Sequence, residues 1–293
     1  MKPMIISVAS GKGGTGKTTI VTNLALALAC KMPVQVLDCD VEEPNAHLFL
    51  HPEFQEEEEV TLPVPEVDSQ KCDGCGQCSE ACAFHALAVT GGKVIIFPEI
   101  CHGCGGCALV CPRGAITEKP HRIGMVAAGR AGKIAFAHGK IDVGNPLAPP
   151  VVKAVKKRAS REGLTLIDAP PGTSCPVVAA VKDSDFCLLV TEPTPFGLND
   201  LRLAVGMVRE LGVPFAVVIN RSTLGDLRVE RYCRQERIPV LLKIPFDKRY
   251  AATYARGKCL VEEFPDWVAA FVGLWQEIER LVAQNARAAG NQR

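Results

Sequence analysis

The run Gly11-Lys12-Gly13-Gly14-Thr15-Gly16-Lys17-Thr18 sits between an apolar stretch at residues 4–9 and a helical pattern at 18–30. Few sequence features restrict a fold so tightly. Glycines let successive backbone N–H groups curl around phosphate oxygens, and the helix that follows turns its positive end toward them. Lys17 is placed to reach the β and γ phosphates, and the Thr18 hydroxyl to ligate Mg²⁺. With Thr19, residues 11–19 form the expected binding loop for ATP and Mg²⁺. A glycine turn with an incidental lysine is the bland alternative. The strand before and the helix after the run favour the phosphate loop.

The remainder alternates in the same manner. Val-, Ile- and Leu-rich runs at 4–9, 34–38, 164–168, 187–191, 215–220 and 240–245 lack polar alternation, as buried parallel strands do. Helical patterns occupy 18–30, 151–161, 198–211, 226–236 and 266–286. The expected fold is α/β, a doubly wound and mostly parallel sheet. Residues 53–68 carry seven acids and no base, with Pro63 and Pro65 among them, and read as an exposed connector. Glycines at 129, 132, 139 and 144 suggest short strands and turns over 123–150. The expected division is therefore an ATPase domain from 1–65 and 121–293, with an inserted module at 66–120.

That module holds eight of the 14 cysteines. Cys72-x-Gly74-Cys75-Gly76-x-Cys78-x-x-x-Cys82 is repeated as Cys101-x-Gly103-Cys104-Gly105-x-Cys107-x-x-x-Cys111. The residues after Met1 form too short an apolar stretch for a secretory signal, so a disulfide framework is disfavoured and metal is the better reading. C-x₂-C-x₂-C-x₃-C resembles the bacterial ferredoxin run, and two copies imply a small α+β ferredoxin-like domain with two [4Fe–4S] clusters. In such modules the fourth cysteine serves the other cluster. The resemblance thus assigns Cys72, Cys75, Cys78 and Cys111 to one cluster, and Cys82, Cys101, Cys104 and Cys107 to the other. Zinc also favours four cysteines and stands as the alternative. Cys111 precedes Pro112, as in that run, but Cys82 precedes Ala83. His85 and His102 read as polar surface residues.

Lys12, early in the loop, marks a deviant phosphate-loop motif. Here the chain resembles the MinD/ParA family of P-loop ATPases, which includes Mrp-like proteins and the nitrogenase iron protein. The resemblance implies that Lys12 crosses a dimer interface to the partner's nucleotide. Leu37-Asp38-Cys39-Asp40 resembles the family's D-x-D, with Asp40 orienting the attacking water and both Asp38 and Asp40 in the Mg²⁺ shell. Asn45 corresponds to an interface asparagine. Asp168-Ala169-Pro170-Pro171-Gly172-Thr173 resembles the Mrp-like form of Walker B and switch II, giving Asp168 to Mg²⁺. Asn220, Arg221, Pro245, Phe246 and Asp247 look like the adenine pocket. Lys12, Lys17, Asp40 and Asp168 form the expected catalytic set. Cys175, in the switch II segment, is either a small thiol packed beside Pro176 or part of a path between nucleotide state and a redox partner.

The implied function is ATP binding and hydrolysis coupled, through nucleotide-dependent dimerisation, to electron transfer or metallocofactor assembly. A regulatory switch using its clusters as a redox sensor is the competing class. The implied partners are a second copy or a paralogue, and a redox or metallocofactor protein. With 33 Lys and Arg against 32 Asp and Glu, the net charge of +1 gives no footprint for nucleic acid. No apolar run is long enough to span a bilayer, and a cytoplasmic protein is expected. The apolar residues of 266–286 are expected to pack on the core, because acids outweigh bases there.

Overall fold

The computed structural model describes residues 3–290. Met1, Lys2 and residues 291–293, the extremities of the expected first and last segments, lie outside the described residues. The chain starts with β1 (Met4–Ser10), the phosphate loop and α1 (Lys17–Leu28), followed by β2 (Val34–Asp38), α2 (His47–Leu50) and the long β3 (Glu53–Val67). A small unit comes next: α3 (Gln77–Glu80), β4 (Leu87–Thr90), β5 (Lys93–Ile96) and α4 (Gly106–Leu109). The chain returns through β6 (Ile116–Ala131) and β7 (Ile134–Ile141) to α5 (Ala148–Lys156), β8 (Leu164–Pro171), α6 (Cys175–Val181) and β9 (Phe186–Thr191). It continues with α7 (Pro195–Glu210), β10 (Phe215–Ile219), α8 (Arg228–Gln235) and β11 (Val240–Lys243). Three helices finish it, α9 (Lys248–Ala255), α10 (Leu260–Glu263) and α11 (Asp266–Gly290).

Nine strands form one sheet in the order β11-β10-β9-β1-β8-β2-β7-β6-β3. Pairing is parallel from β11 through β7, and β6 runs antiparallel to both its neighbours. Successive side chains of a strand point to opposite faces, and β1 shows the consequence. Ile6 and Val8 join one apolar cluster with α1 and α11, while Ile5 and Ala9 join the other with α5, α6 and α7. Both faces are covered, which is why the strands read as continuous apolar runs. Phe271, Leu274, Trp275 and Ile278 of α11 are buried in the first of these clusters, as their helical spacing predicted.

Three expectations need correction. Residues 53–68 are largely exposed, as expected, but are not a connector: residues 53–67 are β3, the sheet's outer strand, paired with β6 along its length. Its run of glutamates and its Pro63 and Pro65 are the features of an edge, where charge and missing N–H groups discourage pairing with another chain. Residues 123–150 contain long strands rather than short ones, because a glycine within a strand also serves close approach. A Cβ at Gly139 would lie 2.7 Å from a Val155 methyl of α5. Finally, α6 has no counterpart in the sequence reading, since seven residues opened by Cys175-Pro176 show too little periodicity.

The unit between β3 and β6 has its own two-stranded sheet and its own small apolar cluster, built on Val64, Cys78, Ala86, Leu87, Cys101 and Ile116. The repeat is visible in its backbone. Gly74 and Gly103 occupy matching positions with φ of 72° and 61°, a region that glycine enters without steric cost.

Candidate functional site

The phosphate loop leaves β1 at the carboxyl end of the parallel strands, where doubly wound sheets bind ligands. Gly16, with φ 99°, precedes α1 without any side-chain cap. The first N–H groups of α1 are thus left for a ligand. The Asn220 side chain donates to the Thr15 carbonyl at 2.8 Å and lies so close to Gly16 that no Cβ fits there. Asn220 is therefore a brace for the loop. Ser10 steadies the other limb through a 2.6 Å bond from its hydroxyl to the Lys12 carbonyl. Lys17 and Thr18 are buried at the start of α1.

The Thr18 hydroxyl donates to Asp168 Oδ2 at 2.6 Å, while Asp168 Oδ1 is buried with no hydrogen-bond partner. Burial pushes the Asp168 carboxyl up to about 6, against the pull of Lys17 and of the Thr18 bond. Asp40 is likewise raised to about 6 by burial, opposed by Lys17 and reinforced by Glu42 and Glu43. A hydroxyl, an unpartnered buried carboxylate oxygen and a second carboxylate suit a hard cation that takes oxygen ligands and retains waters. The residues present therefore fit Mg²⁺.

Asp38, expected in the Mg²⁺ shell, has both carboxylate oxygens engaged by backbone N–H groups. Its Oδ2 accepts the N–H groups of Asn45 and Ala46 at 3.0 and 2.9 Å, and its Oδ1 accepts that of Asp40 at 3.1 Å. Burial, followed by the charge of Asp168, raises its carboxyl well above the usual range. These bonds make Asp38 the anchor that folds the 40–46 loop, and so places Asp40.

A cavity of ≈ 390 Å³ opens beside the loop. Gly13, Gly14, Gly16, Lys17, Thr18, Thr19, Asp40 and Asn45 line it, together with Asn220, Arg221, Pro245, Phe246 and Asp247. Gly11, Lys12, Thr15, Asp38 and Asp168 do not line it. Gly11 backs onto Asp200, where a Cβ would collide with the backbone. Lys12 faces the Glu192 carboxylate at 3.4 Å, and Arg221 meets the same carboxylate at 2.6 Å. Asp247 also caps α9 through the Arg249 N–H at 2.8 Å. Sequence reasoning missed Glu192, Tyr250 and Tyr254. Both tyrosines line the cavity, but their placement on α9 depends on how α9 packs, for which no local motif exists.

Cys175 opens α6 and is exposed, so the packed-thiol reading fails. The eight module cysteines are drawn together in crossed fashion. Cys72, Cys75, Cys78 and Cys111 line one small cavity, and Cys82, Cys101, Cys104 and Cys107 line another. Matching N–H groups point at the fourth sulfurs: Ala86 donates to Cys82 Sγ and Ala115 to Cys111 Sγ, both at 3.3 Å. Among the described residues, no three Cys, His, Asp or Glu side chains close up as ligands of a single metal ion. His102 is exposed, as expected, and its ring stacks on Phe84 with centroids 3.6 Å apart.

This sheet order, the loop after β1, and Asp38 and Asp168 on the neighbouring strands β2 and β8 define a P-loop nucleotide-binding protein of the doubly wound α/β class. Residues 6–261 match the CobQ/CobB/MinD/ParA nucleotide binding domain, and the chain belongs to that family. It is 31% identical over 283 residues to an uncharacterized protein of Methanocaldococcus jannaschii, spanning 90% of this chain and 97% of that protein. It is also similar to the iron-sulfur cluster carrier protein of Pyrococcus abyssi, at 27% identity over 83% of this chain and 74% of the carrier. The fold is like that of the septum site-determining protein MinD of Pyrococcus horikoshii, solved with Mg-ADP. There the TM-score is 0.60 at 21% identity, covering 95% of this chain and 97% of that one. Among the described residues, no helix is long and apolar enough to cross a membrane.

Proposed function

We propose that this protein hydrolyses ATP with Mg²⁺ and couples nucleotide-dependent pairing of two chains to redox chemistry at two [4Fe–4S] clusters in the inserted module. The observation that carries the redox half is the crossed grouping of the cysteines, one set of four around each small cavity. Four sulfurs set around a cavity suit a cubane better than the tight tetrahedron of a single zinc ion. The clusters would supply one-electron storage near the protein surface.

In the nucleotide site, Lys17 and the N–H groups of residues 13–18 hold the β and γ phosphates. Thr18 and Asp168 would hold Mg²⁺, which supplies charge neutralisation on the phosphates. Asp40, set in place by Asp38, orients the attacking water. Phe246 and Tyr250 shape the wall for the base. Lys12 reaches the nucleotide of a second copy, or of a paralogue, once Glu192 releases it. The electron recipient is a partner protein. Assembly of a metallocofactor is the second reading, favoured by the likeness to the Pyrococcus abyssi carrier.

Anaerobically prepared protein should bind about eight irons, as two cubanes require. Cys111→Ser should then damage the cluster held by Cys72, Cys75 and Cys78, although Cys111 belongs to the second repeat. A zinc stoichiometry of two without sulfide, or loss confined to the second-repeat cluster, would contradict the assignment.

A further inference from the structure

We infer that α5 is a strut linking the nucleotide site to the strand pair that carries the cysteine module, coupled at its C-terminal end through Lys156, its last residue, and Arg158, two residues further on. The inference rests on the ATPase reading above. On the nucleotide side, Pro171 lines the cavity, and Gly172 donates to the Ser10 carbonyl at 2.9 Å, shortly before α6. Any ligand-driven movement of this segment is passed to α6, which follows after two residues. Lys156 of α5 reaches across to α6, where its Nζ donates to the Ala179 carbonyl at 2.9 Å and to the Lys182 carbonyl. These carbonyls lie in and just beyond the last turn of α6, so Lys156 holds the end of that helix.

Two residues further on, just past the C-terminus of α5, Arg158 forks onto β3. Its two terminal nitrogens donate to Glu56 at 2.5 Å and Glu58 at 2.7 Å. Period-two alternation places Glu56 and Glu58 on the α5 face, together with their register partners Ala128 and Val126 of β6. Between its ends, α5 lies tight on the sheet and on α6. Val151, Val152 and Val155 share one apolar cluster with Val177, Ala180 and Val181, and close approach to β6 and β7 is made possible by Gly124 and Gly139. The Arg158 carbonyl is itself held by the Gln35 side chain of β2 at 2.8 Å. The strut thus pivots on the central sheet while touching the switch helix and the module's supporting strand.

Close-packed helices shift as bodies rather than deform. A tilt of α6 on nucleotide binding should therefore move β3 against β6. Lys156 and Arg158 are positioning residues, since neither touches the nucleotide cavity or a module cysteine. The acidic run acquires a purpose under this account: alternate glutamates hold the strut, and the others face away.

Amide hydrogen exchange of the full chain, with and without Mg-ADP, tests the proposal. In the unaltered protein, nucleotide should slow exchange over residues 11–18 and change exchange over 53–67 by about threefold or more. Lys156→Met and the double variant Glu56→Gln/Glu58→Gln should keep the first effect and lose the second. The double variant alters only exposed side chains, so it reads the coupling even if Lys156→Met folds poorly. Unchanged exchange over 53–67 in the unaltered protein overturns the proposal, as does a nucleotide effect there that survives in the double variant. If residues 11–18 fail to respond, the ATPase reading falls first and the strut with it.

Discussion

Asp168 joins two facts that a motif alone does not connect: one oxygen is bound by Thr18, and the other is buried and unpartnered. Asp168→Asn should accordingly weaken Mg-ATP binding at least tenfold while leaving Mg-free nucleotide binding little changed, measurable by calorimetry with and without Mg²⁺. Lys17→Ala should abolish ATP binding, whereas Asp40→Ala should bind ATP and not turn it over. Normal turnover by Asp40→Ala would remove it from water orientation. Asp40 and Asp168 were picked out by the likeness of residues 37–40 and 168–173 to the family's motifs, and the fold sets Asp168 against Thr18. Asp38 and Glu192 were not legible in the same way. What an acid does is decided by which N–H groups or cations the fold brings to it, and those lie up to 180 residues away along the chain.

His138 offers a pH prediction at the same scale. Burial, then the neighbouring charges of His47 and Lys140, lowers its imidazole to about 4. Its Nδ1 is buried without a partner, and its ring lies edge-on to that of His47. The unfolded chain takes up this proton near the ordinary value of 6.5, before the folded chain does. Stability from this residue is therefore complete above about pH 6.5 and is lost progressively toward pH 4. His138→Phe should flatten the fall in Tm over that window. An unaltered slope would show that other groups govern it.

Elements whose identity depends on periodicity were read well, and elements whose identity depends on partners were not. The strand at 34–38 and the start of α11 at Asp266 fall where the sequence pattern put them. The 15-residue β3 was hidden by its glutamates, because an edge strand bonded on one side only can tolerate a run of charges such as Glu56–Glu59. In α11, Phe271 is fully buried, and its helix packs against α1. Phe271→Ala should cost roughly 3–5 kcal/mol through lost burial and the cavity left behind, as chemical denaturation would show. A loss below about 1 kcal/mol would mean that α11 is only loosely docked.

For the whole molecule, the organising fact is that one chain carries a nucleotide site at the carboxyl ends of its parallel strands and a doubled cysteine module on the far edge of the same sheet. β3 and β6 connect the two. Pairing of chains should depend on Lys12: Lys12→Ala should impair ATP-dependent dimerisation, read by light scattering, more than it impairs nucleotide affinity. The central claim is that the two sites share free energy, so that each alters the other's equilibrium. The most direct measurement is the rate of ATP turnover by anaerobic, iron-loaded protein with the module fully oxidised and then fully reduced. The account predicts rates that differ between the two redox states, with the difference abolished when Cys78 and Cys107 are replaced by serine. Equal turnover in both states would contradict it, and would leave an ATPase and an iron–sulfur module that merely share a chain.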